Sequence, residues 1–437
     1  GHCLLMAVTL GVLFGTLAVQ RGFLCAGAAT VALFAMPQAF AHAHLNATDG
    51  PASCFLMLTL LFWSQCRGRA GPALAAGIVC GLGLASKASL FFAPGLLLGG
   101  IILFREWSRL RAWGIVVCVA LAVLFGVCPM WWHAPVEGFW DFVGASFGHS
   151  RDIWTFDSFY LGRVYLGSLP WHNGLILPLV STPPLTLALA GLGAFRGLAR
   201  RDPEAVLWIV AAGLLPTLRM LPGAPGHDGV RLMLPSLFCL APLAGLGVAE
   251  AFPRARGSVA LGGLALVGLL EVGLLHPFEI SYYSEVVGGL PGARRLGFEV
   301  SYWFDAMTPK AIREIQDRLP LGAVVWTYPS YPGYRALRDW GMWRSDLSSG
   351  ERGADYLVLY TRRASIEVRP DVRRIYEGET PVWSLQCEGV QLVGLYRLSP
   401  EGSSRLSPHN PRSASRSAGM RRAASGASEG GRATGFP

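Results

Sequence analysis

The sequence predicts an α-helical polytopic membrane protein of about ten spans, followed by a small C-terminal α/β domain and a disordered tail. Apolar residues make up 52% of the 437-residue chain and charged residues only 15%. A soluble domain has roughly a quarter charged residues. Apolar runs of spanning length recur as far as residue 276, and mixed helical and strand patterns begin only after it. We therefore expect a transmembrane region at 1–276, an α/β domain at 277–398 and the tail at 399–437.

The membrane region contains apolar runs that are long enough, or nearly so, to cross a bilayer. They occupy residues 3–19, 22–41, 52–65, 70–86, 88–104, 112–132, 171–195, 204–221, 232–249 and 258–276. The third run is short and suits a tilted span. Only Lys87 separates the fourth run from the fifth, so a re-entrant pair is an alternative there.

Arginine-containing loops give the expected orientation of these runs. If every run crosses, the arginines fall on one side, which the positive-inside rule makes cytoplasmic. These arginines are Arg21, Arg67, Arg69, Arg105, Arg109, Arg111, Arg196, Arg200, Arg201, Arg254 and Arg256. The alternate loops and everything after residue 276 are then expected on the extracytoplasmic side. The aromatic loop at 133–170 is expected there too, in the headgroup layer or as a small structured cap.

Several features of the composition exclude other classes of protein. The net charge of +9 is accounted for by the cytoplasmic loops, and no basic stripe with interleaved aromatic residues indicates nucleic acid. The nine cysteines show no zinc-binding spacing, and most lie within apolar runs. No cofactor is assigned, although a divalent metal is left open. Because the chain starts at Gly1 without Met or a charged leader, we expect a fragment that lacks an upstream span.

The region after residue 276 has the pattern of a small α/β domain. Thr308 and Pro309 are expected to begin a helix, as its N-cap and its first helical residue. Strand-like runs follow at 323–328, 356–361 and 390–398. From about residue 399 the composition is rich in Ser, Gly, Arg, Ala and Pro, which predicts disorder.

A short polar island, with the sequence HAHLNATDGP, separates the second apolar run from the third. Asp49 lies in it beside His42 and His44, and no other carboxylate occurs before Glu106. An isolated acid at a membrane surface is a candidate functional residue. The alternative is that the Thr-Asp-Gly-Pro segment only starts a helix, with a capping side chain and proline in the first turn. The two interpretations are compatible.

Two further outer segments carry charge. Lys87 stands alone between two apolar runs, where it either extends to the headgroups or binds an anion. His227, Asp228 and Arg231 precede the run at 232–249, where the alternative is an ion-paired helix start. Acids, bases and cations on outer loops suit a lipid-phosphate substrate. A carboxylate would orient or deprotonate an acceptor hydroxyl, and cations would stabilise a phosphate leaving group.

Five stretches of the chain resemble integral-membrane glycosyltransferases with a GT-C fold. The resemblance is to the bacterial branch similar to dolichyl-phosphate-mannose protein mannosyltransferases and lipid A aminoarabinose transferases. The stretches are HLNATD at 44–49, GLGLASK at 81–87, STPP at 181–184, HDGVRLMLP at 227–235 and the tyrosine- and glycine-containing pattern at 282–303. Their order and their side of the membrane carry the match, which covers most of residues 25–305.

The resemblance implies transfer of a hexose or pentose, with inversion, from a polyprenyl-phosphate donor on the extracytoplasmic face of a bacterial plasma membrane. The acceptor would be a lipid, a glycan or a protein, and membrane lipids surround the chain. Asp49 matches the second outer acid of the family and Lys87 a position that meets the donor phosphate. The family's first outer acidic loop is absent. The candidate residues are Asp49 and His44 for catalysis, Lys87 and Arg231 for the phosphate, and His42, His227 and Asp228 as further candidates.

Two other classes of protein compete with this hypothesis. A transporter or flippase for lipid-linked sugars would need paired broken helices or inverted repeats, and no repeat is visible in the sequence. A membrane scaffold that binds a partner through its outer domain would not need Asp49, Lys87 and Arg231 on one face.

Overall fold

A computed structural model of the chain describes residues 1–45, 48–148, 157–226, 229–252, 254–302, 305–329 and 333–398. His227, Asp228 and the tail predicted at 399–437 lie outside the described residues. The chain divides into two compact units. Unit 1 comprises Gly1–Ala311, Tyr360–Val368 and Ser384–Val393, and unit 2 comprises Ile312–Leu359, Arg369–Trp383 and Gly394–Pro437.

Most of the described chain is helical, as the apolar runs predict. The helices up to residue 275 are α1 (His2–Arg21), α2 (Phe23–Phe34), α3 (Pro37–His44), α4 (Asp49–Ser64), α5 (Ala70–Ser86), α6 (Phe92–Phe104), α7 (Leu110–Val127), α8 (Pro135–Gly148), α9 (Asn173–Val180), α10 (Pro184–Ala199), α11 (Pro203–Arg219), α12 (Leu234–Phe238), α13 (Leu240–Ala251) and α14 (Arg254–Leu275). The later helices are α15 (Gly289–Arg295), α16 (Pro309–Gln316), α17 (Gly333–Asp339), α18 (Arg363–Glu367) and α19 (Pro370–Gly378).

Four stretches of helix within the described residues are long and apolar enough to cross a membrane. They are His2–Arg21, Trp107–Val127, Arg231–Ala251 and Ala255–Leu275. Two bent pairs raise the number to six if each pair is one span, and Ala70–Ser86 and Ala88–Phe104 are shorter apolar helices. The count of about ten spans therefore stays a prediction.

The runs at 22–41 and 171–195, which we expected to be single helices, are each broken in two. The first bends by 68° between α2 and α3, and the second by 118° between α9 and α10. Proline explains both breaks, because it has no N–H to donate and disfavours helical geometry in the residue before it. Pro37 begins α3, and Pro184 begins α10 directly after Pro183.

The stretch Arg231–Ala251 is the most enclosed of the four long apolar stretches: 83% of an 18-residue apolar window within it is buried, against 17–28% for the corresponding windows of the others. Glycines allow its backbone to approach its neighbours closely. A Cβ atom added at Gly193 of α10 would lie only 1.9 Å from the carbonyl oxygen of Leu243. Gly247 approaches α10, and Gly245 approaches α2, almost as closely. α13 is therefore held between α2 and α10 by small residues, which is typical of helices in membranes.

Strands form two sheets within the described residues. The strands are β1 (Asp157–Tyr160), β2 (Arg163–Leu166), β3 (Val324–Tyr328), β4 (Ser348–Ser349), β5 (Tyr356–Tyr360), β6 (Trp383–Cys387) and β7 (Val390–Arg397). β1 and β2 form an antiparallel hairpin, which follows α8 in the loop at 133–170. The other five strands have the order β4-β3-β5-β7-β6, and β3 is parallel to β4 and β5.

The helix and strands predicted after residue 276 are confirmed. β3, β5 and β7 occupy the three strand-like runs, and α16 begins at Pro309. The Thr308 hydroxyl accepts a hydrogen bond from the backbone N–H of Ala311 at 3.2 Å, so Thr308 is the predicted N-cap.

Candidate functional site

The polar island joins α3 to α4, and Asp49 is the first residue of α4. Thr48 stands at the N-cap position but makes no side-chain capping hydrogen bond. Asp49 itself is buried, and its side chain points toward other elements of the bundle. The helix-start interpretation is therefore correct for the backbone, and the Asp49 carboxylate has partners beyond its own helix.

One carboxylate is shared by two cations from distant parts of unit 1. The Lys87 ammonium donates a hydrogen bond to Asp49 Oδ1, and Arg231 Nε lies 3.3 Å from Asp49 Oδ2. Lys87 lies in the break between α5 and the 3₁₀ turn Ala88–Phe91, and Arg231 opens the 3₁₀ turn before α12. We call these three residues the cation cluster. Its charge is two positive against one negative, so it keeps one positive charge.

Exposure of the side chains shows which charges an incoming molecule would meet. The side chains of Lys87 and Arg231 are 18% and 20% exposed, whereas that of Asp49 is only 4% exposed. The accessible part of the cluster is therefore cationic. Such a surface attracts anions strongly where water is scarce.

Glycine at position 50 allows the cluster to form. A Cβ atom at Gly50 would lie 2.2 Å from the carbonyl oxygen of His42, so no larger residue fits without moving α3 from α4. A second glycine acts beside Arg231. Gly229 has a φ of +59°, and a Cβ there would lie 2.5 Å from the Tyr302 ring. Glycine is required at positions 50 and 229 because of contacts with residues that are distant in sequence or lie across a bend. The neighbouring sequence alone does not reveal such contacts.

A cavity of about 330 Å³, open solvent included, lies on one side of Arg231. Asp49 and Lys87 are not among its lining residues, so Arg231 is the member of the cluster that faces it. The lining residues are Gln38, His42, Ser181, Val230, Arg231, Ile280, Tyr282, Tyr283 and Tyr302.

Two tyrosines of this cavity are joined by hydrogen bonds. The Tyr283 hydroxyl donates to the carbonyl oxygen of Glu299 at 2.7 Å and lies 3.0 Å from the Tyr302 hydroxyl. Burial, together with the neighbouring Tyr302, raises the pKa of Tyr283 well above its usual range. Both findings keep Tyr283 a neutral hydrogen-bond donor.

The two histidines of the island have different environments. His42 is buried and lines the cavity. His44 is exposed, with Nδ1 2.9 Å from the carbonyl oxygen of Phe40 and its ring against those of Phe40 and His276. The structure thus brings Asp49, Lys87, Arg231 and His42 together and places His44 outside the cavity lining.

Comparison with known proteins identifies the fold. No protein-family profile matches the chain. Among solved structures, ArnT from Cupriavidus metallidurans in the apo state matches with a TM-score of 0.50 and 13% identity, over 94% of this chain and 84% of that chain. The same protein bound to undecaprenyl phosphate matches with a TM-score of 0.49 and 13% identity, over 94% and 85%.

The chain is an integral membrane protein with a GT-C glycosyltransferase fold. The resemblance and the fold class inferred from the sequence are confirmed. At 13% identity the likeness establishes the fold alone, so the role of each residue has to follow from this chain's own geometry.

Several residues of this GT-C fold belong to the site region but were not among the sequence candidates. Arg219 is buried, and it donates to Asn173 Oδ1 at 2.9 Å and to the carbonyl oxygen of Gly226 at 2.8 Å. Its signal was present, because an arginine within the apolar run at 204–221 is expensive unless it has a role. Ser181 and the cavity tyrosines lie in the stretches that carry the family resemblance, but nothing local marks them as cavity residues.

The described residues contain no group of three or more His, Cys, Asp or Glu side chains that could hold a metal ion. His227 and Asp228, the two remaining candidates, lie outside the described residues.

Proposed function

We propose that the chain transfers a sugar from a polyprenyl-phosphate donor to an acceptor at the extracytoplasmic membrane surface. The observation that carries this proposal is the cation cluster. A buried carboxylate holds two cations whose accessible surface is positive, inside a GT-C fold. This arrangement suits a lipid-linked phosphate because it offers charge where the bilayer itself offers none.

The cluster would act on the leaving group. The acceptor hydroxyl oxygen attacks the anomeric carbon of the sugar, and the bond from that carbon to the phosphate oxygen breaks. The phosphate departs with the bonding electron pair, and Lys87 and Arg231 stabilise its increased negative charge. Asp49 has both oxygens directed at cations, so we assign it a positioning role: it holds Lys87 and Arg231 together against their mutual repulsion.

The hydroxyl proton needs a base. Geometry favours His42 over His44 for this task, because His42 lines the cavity beside Arg231 whereas His44 packs against Phe40 and His276. A base must come within hydrogen-bond reach of the proton that it takes. In this proposal His42 accepts the proton directly or through one water.

A second, apolar cavity supports a lipid-linked donor. Part of its lining comes from side chains that follow the two cations in sequence. Leu90 comes from the turn after Lys87, and Pro235 comes from the first turn of α12, after Arg231. Apolar side chains next to both cations suit contact with the isoprene chain behind the phosphate.

Binding of polyprenyl phosphate tests the proposal, with the uncharged polyprenol as the matched ligand. In phosphatidylcholine nanodiscs we expect Lys87→Met and Arg231→Gln each to weaken polyprenyl phosphate binding by roughly tenfold, the loss of about one charge-assisted hydrogen bond. Polyprenol binding should not change. Arg111→Gln, on an exposed arginine of α7, is the control variant.

Equal affinity of the wild-type protein for polyprenol and polyprenyl phosphate would refute a phosphate site at the cluster. The transporter would instead be favoured by three results together. The sugar-loaded lipid would bind tightly and depend on the cluster, it would be carried across the bilayer, and its sugar would reach no acceptor.

A further inference from the structure

An open groove of about 750 Å³ on unit 1 presents three arginines that the proposed transfer of the sugar does not use. Arg294 and Arg295 reach it from the last turn of α15, and Arg363 from the first residue of α18. Phe159 and Pro291 provide apolar surface between them. We call this feature the arginine groove.

Arg363 is held in a defined position. The Glu299 carboxylate accepts hydrogen bonds from the backbone N–H groups of Arg363, at 2.7 Å, and Ala364, at 2.9 Å. The Arg363 guanidinium lies 5.4 Å from the centre of the Phe159 ring and pairs with Glu367. Backbone and side chain are both fixed, so little freedom is lost when Arg363 contacts a ligand.

The other walls of the groove are fixed as well. Glu388 accepts the backbone N–H of Leu290 at 3.0 Å, which anchors the start of α15. The β1–β2 hairpin, which carries Phe159 in β1, is anchored at its turn, where the Gly162 N–H donates to the carbonyl oxygen of Gly297 at 2.9 Å. A Cβ at Gly297 would lie 2.1 Å from the Gly162 nitrogen, so this contact requires glycine. The groove is therefore preformed.

The arginine groove carries a positive charge. The three arginines are opposed by Glu367 and Glu388, and burial raises the pKa of the nearby Glu299 to about 7, so one net positive charge remains below that pH. Within the described part of the chain, Arg295 has no acidic partner. The planar fork of arginine matches the geometry of phosphate, and several forks facing one space are typical of phosphate recognition. If the groove were only a solvated surface, Arg363 would not need the hydrogen bonds to Glu299 that hold its backbone in place.

Shared residues connect the arginine groove to the proposed reaction site. Phe159 also lines a small cavity, together with Asp157 and Tyr302. Tyr302 in turn lines the cavity that contains Arg231. Phe159 and Tyr302 thus place the groove next to the surroundings of Arg231.

We propose that the arginine groove binds the acceptor, and that the acceptor carries a phosphate group several ångströms from the hydroxyl that receives the sugar. This inference rests on the proposed function, because it names the second substrate of the same reaction. The phosphate is held by Arg294, Arg295 and Arg363, and the hydroxyl end extends toward Tyr302.

The test uses the full chain in phosphatidylcholine nanodiscs, with glucose 1-phosphate as a soluble probe and glucose as its neutral match. We expect binding of glucose 1-phosphate but not of glucose, weakened by added salt. The double variant Arg294→Gln/Arg295→Gln should bind it at least roughly tenfold more weakly, with an unchanged unfolding temperature, since both side chains are exposed. Arg111→Gln should bind like the wild type.

Two further measurements distinguish an acceptor site in the groove from the donor site and from a contact with bilayer headgroups. Arg231→Gln should lose polyprenyl phosphate and keep glucose 1-phosphate, so a failure of the donor site and a failure of the groove are told apart. Affinity for glucose 1-phosphate that survives the double variant would overturn the proposal. The proposal would also be overturned if the groove contacted phosphatidylglycerol added to the nanodiscs but bound no glucose 1-phosphate. That result would assign the groove to bilayer headgroups.

Discussion

At the scale of single residues, Asp49 combines the start of a helix with the centre of an ion cluster. It begins α4, where a negative charge gains from the helix dipole, and its two oxygens face cations from elsewhere in the fold. Removing one partner of a buried ion pair usually costs about 3–5 kcal/mol, because the remaining charge is left uncompensated. Losing only a cap costs about 1 kcal/mol.

We therefore expect Asp49→Asn to lower the free energy of unfolding by several kcal/mol, and expect polyprenyl phosphate to restore part of that loss. The phosphate would supply the negative charge that Lys87 and Arg231 lack in the variant. Thermal unfolding in detergent, with and without polyprenyl phosphate, measures both effects. The wild-type protein should gain less from the ligand than the variant does.

Because Asn caps about as well as Asp, a loss close to zero that polyprenyl phosphate leaves unchanged would limit Asp49 to a role at the helix start. Ser53→Ala is a suitable control on the same helix, because its hydroxyl bonds to the Asp49 carbonyl oxygen and not to the cluster.

The charged members of the cluster could be selected from the sequence because charge is rare in the short segments that join apolar runs on this side. Asp49, Lys87 and Arg231 each stand out for that reason. Their shared geometry could not be derived, since it depends on Gly50 fitting under the carbonyl oxygen of His42. Likewise, the sequence names both island histidines, and only packing decides that His42 turns inward.

At the scale of elements, Glu299 links a loop to the start of α18. Burial raises the pKa of Glu299 to about 7, although the N–H groups of Ala364 and Arg363 and nearby arginines oppose this. Its ordinary value is 4.5. The folded protein thus keeps a proton that the unfolded chain releases between these values. The stabilisation is complete below about pH 4.5 and is lost as the pH rises through about 7.

As the pH rises from about 5 to 8, we expect the free energy of unfolding of the wild-type protein to fall relative to that of Glu299→Gln. The relative loss should reach up to about 3 kcal/mol. Unfolding in detergent across this range measures it. Taking the difference removes the contribution of Asp305, whose pKa burial also raises to about 7. If the wild type instead became more stable than Glu299→Gln as the pH rises, the N–H donors would have a larger effect on the pKa of Glu299 than burial has.

Element boundaries were predictable where local chemistry decides them. Thr308 and Pro309 start α16 because one can cap and the other fits a first turn. The bend between α9 and α10 was missed because hydropathy continues through it. Pro183 and Pro184 carried the signal for that break, but in the sequence they stand out only as part of the STPP stretch.

At the scale of the whole molecule, the arrangement of arginines predicts that α14 crosses the membrane and that residues 277–398 are extracytoplasmic. Ala255–Leu275 has the length and composition of a span. Reporter fusions after Arg256 and after Leu398 should therefore give opposite topology signals. Equal signals would show that α14 does not cross, and would place the cation cluster and the arginine groove on a different side from the one proposed. A fusion after Arg201 should match the fusion after Arg256.

The close packing of α13 also determines the order in which this protein can assemble. Chains are made from the N-terminus, so α2 and α10 enter the membrane before the helix that fits between them has been synthesised. At that stage Asp49 and Lys87 can already form a neutral pair. Arg231 arrives immediately ahead of α12 and α13, and brings the excess positive charge with it. The positive charge that the cation cluster keeps is thus added only together with the helix that completes the bundle.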